Sequence, residues 1–222
     1  MIYCLSDLHG EDERYQAFVK DLLRDEDTAY VLGDVIDRHR GGCRILLDIM
    51  KRPNVHLILG NHEYMMRQAL SEGMSYWDLV KWRGNGGDVT ETEFRKLDTK
   101  EQKKIIDFLR NCPDHVELSV NGQQFHLVHA WPGDNTYDRV WSRNKWKSPL
   151  LGKTVIIGHT PTAWISNNLQ DAMEDGKLCI YPKREMRENL SLGYIGIDCG
   201  CGHPLPCRMA VLRLDDMTEF YY

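Results

Sequence analysis

The chain has 222 residues, 42% of them hydrophobic and 27% charged, with a formal net charge of −5. That length can bury a sizeable core without cross-links, and one domain over residues 1–222 is expected. The mild acidity excludes the electrostatic footprint of a nucleic-acid or anionic-membrane binder, and no apolar run reaches the roughly 18 residues that a membrane span needs.

The opening "MIYCLSDLHG" has no basic leader pattern, so a cytoplasmic protein is expected. The odd number of cysteines, 7, scattered through strand and helix patterns, predicts reduced and mostly buried thiols. Ile2–Leu5, Ala29–Leu32 and Val55–Leu59 are short apolar runs, as buried strands are. Between them, Tyr15, Phe18, Val19 and Leu22, then Cys43, Leu46, Leu47 and Met50, repeat the i, i+3, i+4, i+7 stripe of a helix. Strand–helix alternation of this kind implies parallel βαβ units. Residues 63–115 read as a charged helical insert, broken at Asn85–Gly87. From Val116 apolar runs return, at Gln124–Val128, Thr154–Ile157, Tyr194–Ile197 and Arg208–Leu214, predicting a second sheet, mixed or antiparallel. Segment 166–192 reads as a loop or a further hairpin.

The chemistry lies just past the strands. Ile2–Leu5 leads into Asp7 and His9, and Ala29–Leu32 into Asp34, Asp37 and Arg38. Val55–Leu59 leads into Asn61 and His62, Gln124–Val128 into His129, and Thr154–Ile157 into His159. The C-terminal edge of an α/β sheet is where ligands bind. Carboxylates, an amide and imidazoles together suit neither a thiolate zinc site nor calcium, and their number suits two transition metals sharing a carboxylate. Two such ions acidify a shared water and can clamp the oxygens of a displacement at phosphorus.

The motifs "SDLHG", "GDVIDR", "GNHE", "HA" and "GHT" together resemble the phosphoprotein phosphatase branch of the calcineurin-like metallophosphoesterases. The spacing from Asp7 to Asp34 equals that from Asp34 to Asn61, as repeated βα units would produce. The resemblance implies an α/β (α+β) fold, a four-layer sandwich of two mixed β-sheets flanked by helices, with a helical insert after the third strand. It implies that Asp7 and His9 bind a first metal, that Asp34 bridges, and that Asn61, His129 and His159 complete a second. His62 would be the general acid, oriented by Asp37, and Arg38, Arg143 and Asn61 would hold the phosphate. "WRGNGGDVT" is similar to a segment of bacterial and phage members, and "YIGIDCGCG" to a final strand near the site.

Two departures stand out: Ser6 replaces the first glycine of the first motif, and His39 replaces the glycine after Arg38, placing an imidazole near the expected phosphate grip. The implied activity is a metal-dependent serine/threonine protein phosphatase using two divalent ions, Mn²⁺ being expected, with Fe or Zn as alternatives. Hydroxide would attack in line, and the substrate would be a phosphorylated protein or small phosphate ester rather than nucleic acid or membrane. The alternative is a symmetrical dinucleoside polyphosphate (Ap4A) hydrolase, whose family shares these motifs. Among the tryptophans, Trp131, Trp141, Trp146 and Trp164 read mainly as core. Cys199, Cys201, Cys207 and His203 lack the paired spacing of a zinc site and read as packing beside the active centre.

Overall fold

The computed structural model describes residues 1–71, 73, 75–143, 150, 152–162, 179–181, 193–203 and 208–222. Trp146, Trp164 and Cys207 lie outside them, as does most of the 166–192 segment. Two five-stranded sheets carry the architecture. In the first, β1 (Ile2–Leu5), β2 (Thr28–Val31) and β3 (Val55–Leu57) run parallel. The strand β9 (Ala210–Arg213) lies antiparallel to β1, and β10 (Thr218–Tyr221) closes that edge. In the second sheet, β5 (Gln123–Val128), β6 (Thr154–Ile157) and β8 (Tyr194–Gly196) are parallel. They are flanked by antiparallel β4 (His115–Val120) and β7 (Cys179–Tyr181).

The two-residue period of each strand sorts its side chains between layers. Tyr3 and Leu5 of β1 face the helices α1 (Asp12–Asp21) and α2 (Gly42–Ile49), packing with Tyr15, Phe18, Ile45 and Leu46. Cys4, between them, faces the other way into the inter-sheet core with Leu32, Ile58, Phe125, Leu127, Ile156 and Leu212. On β6, Ile156 enters that same core, while Val155 and Ile157 pack with Trp131 and Tyr194 on the far face. Burying each such aliphatic side chain is worth roughly 1.5–3 kcal/mol, so the alternation holds the register firmly.

The expected insert is present as α3 (Asn61–Ala69), α4 (Tyr76–Trp82), a π-helical turn (Arg83–Gly87), α5 (Asp88–Phe94) and α6 (Thr99–Asn111). The break at Asn85–Gly87 is real: Asn85 and Gly86 leave helical φ/ψ, Gly86 at φ 93°. Buried Glu91 ties the turn together by accepting from Arg83 Nε at 2.6 Å and Arg95 Nη2 at 2.6 Å.

The second sheet is mixed, one of the two alternatives expected, with its central strands parallel rather than hairpin-linked. The strand β7 falls within segment 166–192, where a loop or a further hairpin was expected, whereas β4 and β10 have no counterpart among the expected strands. Both β4 and β10 are edge strands whose half-exposed pattern dilutes the apolar signal. Cys4, Cys43, Cys112 and Cys199 are thiols, and burial pushes Cys43 up to about 12. No helix among the described residues is long and apolar enough to cross a membrane.

Candidate metal centre

Because β1, β2 and β3 run parallel, as do β5, β6 and β8, the carboxyl ends of both sets gather on one edge of the molecule. The turns leaving these strands are tightly cross-linked. Asp7 N–H donates to Gly33 O at 3.1 Å, His9 N–H to Asp34 O at 2.9 Å and Gly10 N–H to Val35 O at 2.9 Å. Asp7, His9, Asp34, Asp37, Arg38 and His159 all adopt left-handed backbone, with φ between 45° and 72°. Each such residue costs about 1–3 kcal/mol, a strain that persists where it aims side chains into a site. A residue larger than Gly60 is excluded, since its Cβ would lie 2.3 Å from Asp34 Oδ1 and 2.5 Å from Asp34 N.

All six expected metal ligands converge and are buried. His9 Nε2 lies 4.0 Å from Asp7 Oδ1 and 3.9 Å from Asp34 Oδ2. His129 Nε2 lies 3.4 Å from Asp34 Oδ2 and 2.9 Å from Asn61 Oδ1, and His159 Nδ1 is also 2.9 Å from Asn61 Oδ1. Two overlapping groups could each hold an ion: His9, Asp34 and His62, and Asp34, His129 and His159. Asp34 belongs to both.

The donor chemistry fits a cation. His9 Nδ1 sits 3.1 Å from Ile36 O and His129 Nδ1 2.6 Å from Leu32 O. A ring nitrogen facing a carbonyl must donate, so in the neutral ring Nε2 carries a lone pair. Those lone pairs point at carboxylate and amide oxygens, an arrangement that a bound metal satisfies and that buried acceptors alone do not. The same pressure appears in proton affinity. Burial opposes charge on His129, yet Asp34 raises its pKa to about 10. Burial likewise works against the Asp34 anion, but His129 and His62 hold its carboxyl well below the usual range. For Asp7 burial prevails, assisted by Asp34, and raises it to about 6. Burial, then His129, lowers His159 to about 3.

His62 stands at the start of α3 with Nδ1 2.7 Å from Asp37 Oδ2 and Nε2 3.8 Å from Asp34 Oδ2. Burial disfavours its charged form, but Asp34 and Asp37 outweigh that and raise its pKa above the ordinary histidine value. Asp37 is held from three sides. Its Oδ2 also accepts from Trp82 Nε1 at 2.9 Å, and its backbone N–H donates to Thr90 Oγ1 at 2.8 Å. The insert therefore reaches back into the site, and the "WRGNGGD" segment has a structural reason: a Cβ at Gly87 would lie 2.4 Å from Trp82 Nε1. Trp82→Phe, which removes one charge-assisted donor to Asp37, should lower kcat on alkyl phosphate esters severalfold while leaving metal content unchanged, as measured by steady-state kinetics and elemental analysis.

The helix starts at Asn61, two residues before the expected insert, and Glu63 lies in its first turn, where its carboxylate braces the turn after β2. It accepts from Asp34 N–H at 2.8 Å, Val35 N–H at 2.8 Å and Gly60 N–H at 3.1 Å. Burial and Asp34 raise it to about 7, against the pull of those backbone donors. Glu63→Gln replaces an acceptor oxygen with an NH₂ facing N–H groups, and should cost about 1–3 kcal/mol in urea unfolding.

The two departures resolve differently. Buried Ser6 turns its hydroxyl against the Asp7 carboxylate and Leu32 O, so it braces the side chain expected to bind a metal. His39 does not face the phosphate grip: its exposed ring lies 3.3 Å from Glu11 Oε1, while its backbone N–H donates to His9 O. The left-handed turn at Asp37 and Arg38 sends the next side chain outward, which corrects the expectation of an imidazole beside Arg38. Arg38 instead meets His203, Nη1 to Nε2 at 2.9 Å, and its backbone N–H donates to Gly86 O. Arg143 is exposed, and its charge is felt at His159. Trp141 packs its ring edge-on to His159 with centroids 6.3 Å apart. Asp198 was passed over as a site residue. It is buried after β8 with its pKa raised by burial and Asp7, and its Oδ1 accepts from Gly200 N–H at 2.9 Å. The signal was available, since Asp198 repeats the pattern of an apolar strand running into a carboxylate.

Comparison with known proteins agrees with this geometry. The chain is 26% identical over 133 residues to a symmetrical bis(5′-nucleosyl)-tetraphosphatase of Delftia acidovorans, a match covering 58% of this chain and 43% of that protein. It is 22% identical over 174 residues to the protein of the same name from Paracidovorax citrulli, covering 73% of this chain and 58% of that one. The matched regions thus span about half the length of these curated relatives. A crystal structure of a candidate diadenosine tetraphosphatase superposes with a TM-score of 0.61 at 15% identity, over 100% of this chain and 92% of the other, and so shares the fold. The family model for calcineurin-like phosphoesterases matches residues 1–190. With most of the chain matched and the sheet edges delivering the shared Asp34 to two groups of buried ligands, this protein belongs to the calcineurin-like phosphoesterase family of metal-dependent hydrolases.

Proposed function

We propose that the chain hydrolyses phosphate esters with two divalent ions, Mn²⁺ as the expected metal. Asp7, His9, Asp34, Asn61, His129 and His159 would hold the metals, Asp34 in common, and His62 would donate the proton. The observation that carries this reading is the His62–Asp37 contact of 2.7 Å beside an Asp34 carboxylate common to two ligand groups. When bound, the ions supply a nucleophilic hydroxide near neutral pH and neutralise charge at phosphorus.

The protein groups supply the rest. Arg38, steadied by His203, and Arg143 offer planar guanidinium forks for phosphate oxygens. An alkoxide leaving group needs a proton, and His62, with Nδ1 engaged by Asp37 and Nε2 3.8 Å from Asp34 Oδ2, would supply it. For substrate, the motif set supports phosphoserine and phosphothreonine in proteins, and a cytoplasmic setting suits that reading. A dinucleoside tetraphosphate is the second reading, favoured by the names of both curated relatives.

Activity on p-nitrophenyl phosphate should disappear after exhaustive EDTA treatment and return with Mn²⁺. Full activity in the chelated protein would overturn the metal reading. Parallel turnover of a phosphopeptide panel and diadenosine tetraphosphate ranks the two substrate classes.

A further inference from the structure

Two short helices beside the metal centre expose an unusual amount of aromatic surface. Six large apolar side chains are exposed among the described residues, and four of them, Tyr76, Trp77, Val80 and Tyr137, lie on α4 and α7 (Thr136–Trp141). Trp77 and Tyr137 are 73% and 56% exposed, respectively. Exposed tryptophan is costly to leave in water, and clustering of this kind marks a binding surface.

The cluster is continuous with the metal site. Trp77 and Lys81 share one face of α4 at i, i+4 spacing, and Tyr137 and Trp141 share one face of α7. Lys81 Nζ lies 4.4 Å above the Trp141 ring and joins the two faces. The Tyr137 and Trp141 rings are 6.3 Å apart and tilted by 33°. Trp141 in turn meets metal-ligand candidate His159 at 6.3 Å. Arg143 follows two residues later. The contacts therefore run from exposed Trp77 to Lys81 one turn on, then to the Trp141 ring with Tyr137 beside it, and on to His159. A ligand that alternates a planar ring with anionic groups matches this order, whereas a phosphopeptide offers no obligatory ring beyond its phosphate.

We propose that α4 and α7 form a base-stacking subsite, in which Trp77 and Tyr137 take the nucleobase of a nucleoside oligophosphate whose phosphates run past Lys81 and Arg143 to the metal centre. This rests on the phosphoesterase reading above and specifies how that site would recognise one substrate class.

The test is calorimetric binding to the Mn²⁺-loaded full chain, with each probe used as its methylene-bridged analogue, which cannot be hydrolysed. Diadenosine tetraphosphate and inorganic tetraphosphate are the paired probes, since they carry the same number of phosphates. Stacking predicts that the dinucleotide binds at least about tenfold tighter. Trp77→Ala and Tyr137→Ala should each remove most of that advantage while changing inorganic tetraphosphate affinity less than about twofold. Trp77→Phe and Tyr137→Phe, which keep a ring, should restore it and guard against misfolding as the cause. Equal affinity for both probes, or alanine variants that weaken both alike, would overturn the subsite. So would a concentration-dependent dimer that Trp77→Ala dissolves in the absence of any base preference, because the patch would then be a self-association surface. Failure of the underlying phosphoesterase reading shows separately, as absence of Mn²⁺-dependent turnover of p-nitrophenyl phosphate by the wild-type chain.

Discussion

His62→Asn should lower kcat on alkyl phosphate esters by about 10²–10⁴-fold, the usual contribution of a positioned general acid. The loss should shrink to less than about tenfold on p-nitrophenyl phosphate, whose leaving group scarcely needs a proton. The geometry makes a second measurement decisive. His62 Nε2 lies 3.8 Å from Asp34 Oδ2, within a group that could itself hold an ion, so the imidazole could be a ligand rather than an acid. Asp37 argues for the acid: a buried carboxylate 2.7 Å from Nδ1 favours the imidazolium, whereas a metal ligand must be neutral. Elemental analysis of the variant should therefore find metal content unchanged. Loss of one equivalent, with equal loss of rate on both substrates, would make His62 a ligand and leave the leaving group without its donor.

Asp34→Asn should be more severe. Oδ2 of this residue is 3.9 Å from His9 Nε2, 3.8 Å from His62 Nε2 and 3.4 Å from His129 Nε2, so one atom serves every imidazole around it except His159. Asparagine keeps the Oδ1 acceptor for the His62 N–H, at 3.0 Å, and so preserves the turn, but removes the only charge common to both ligand groups. Metal content after dialysis should fall below one equivalent per chain. Turnover should drop by several orders of magnitude, since bridging-charge stabilisation is worth several kcal/mol and each 1.36 kcal/mol is tenfold in rate. Retention of two equivalents would show that the metals do not depend on this carboxylate.

Much of this site was legible in the chain because strand direction converts sequence into place. Once β1, β2 and β3 are parallel, Asp7, Asp34 and Asn61 must emerge on one edge. The equal spacing between them records two similar βα units. His129 and His159 follow by the same rule from β5 and β6. The break at Asn85–Gly87 was legible for a local reason too, since consecutive glycines do not sustain a helix. The edge strands were less so: β10 pairs with β9 across a turn whose Met217 sits at φ 59°, a conformation that its side chain does not advertise.

By itself, the sequence determined the two sets of strands, the polar residues at their ends and the ligand types, because periodicity and chain direction are local properties. Only the tertiary structure decided what supports them. That Trp82 and Thr90 hold Asp37 depends on an insert folding back across 45 and 53 residues of chain. Likewise, Glu63 grips the Asp34 turn because α3 starts where β2 ends, and His39 faces Glu11 because two left-handed residues precede it. The Lys81–Trp141 contact that joins the aromatic faces of α4 and α7 has no trace in the local pattern. Hydrogen bonds and ring contacts between distant segments follow from how elements pack, and a one-dimensional pattern carries the faces of those elements but not which faces meet.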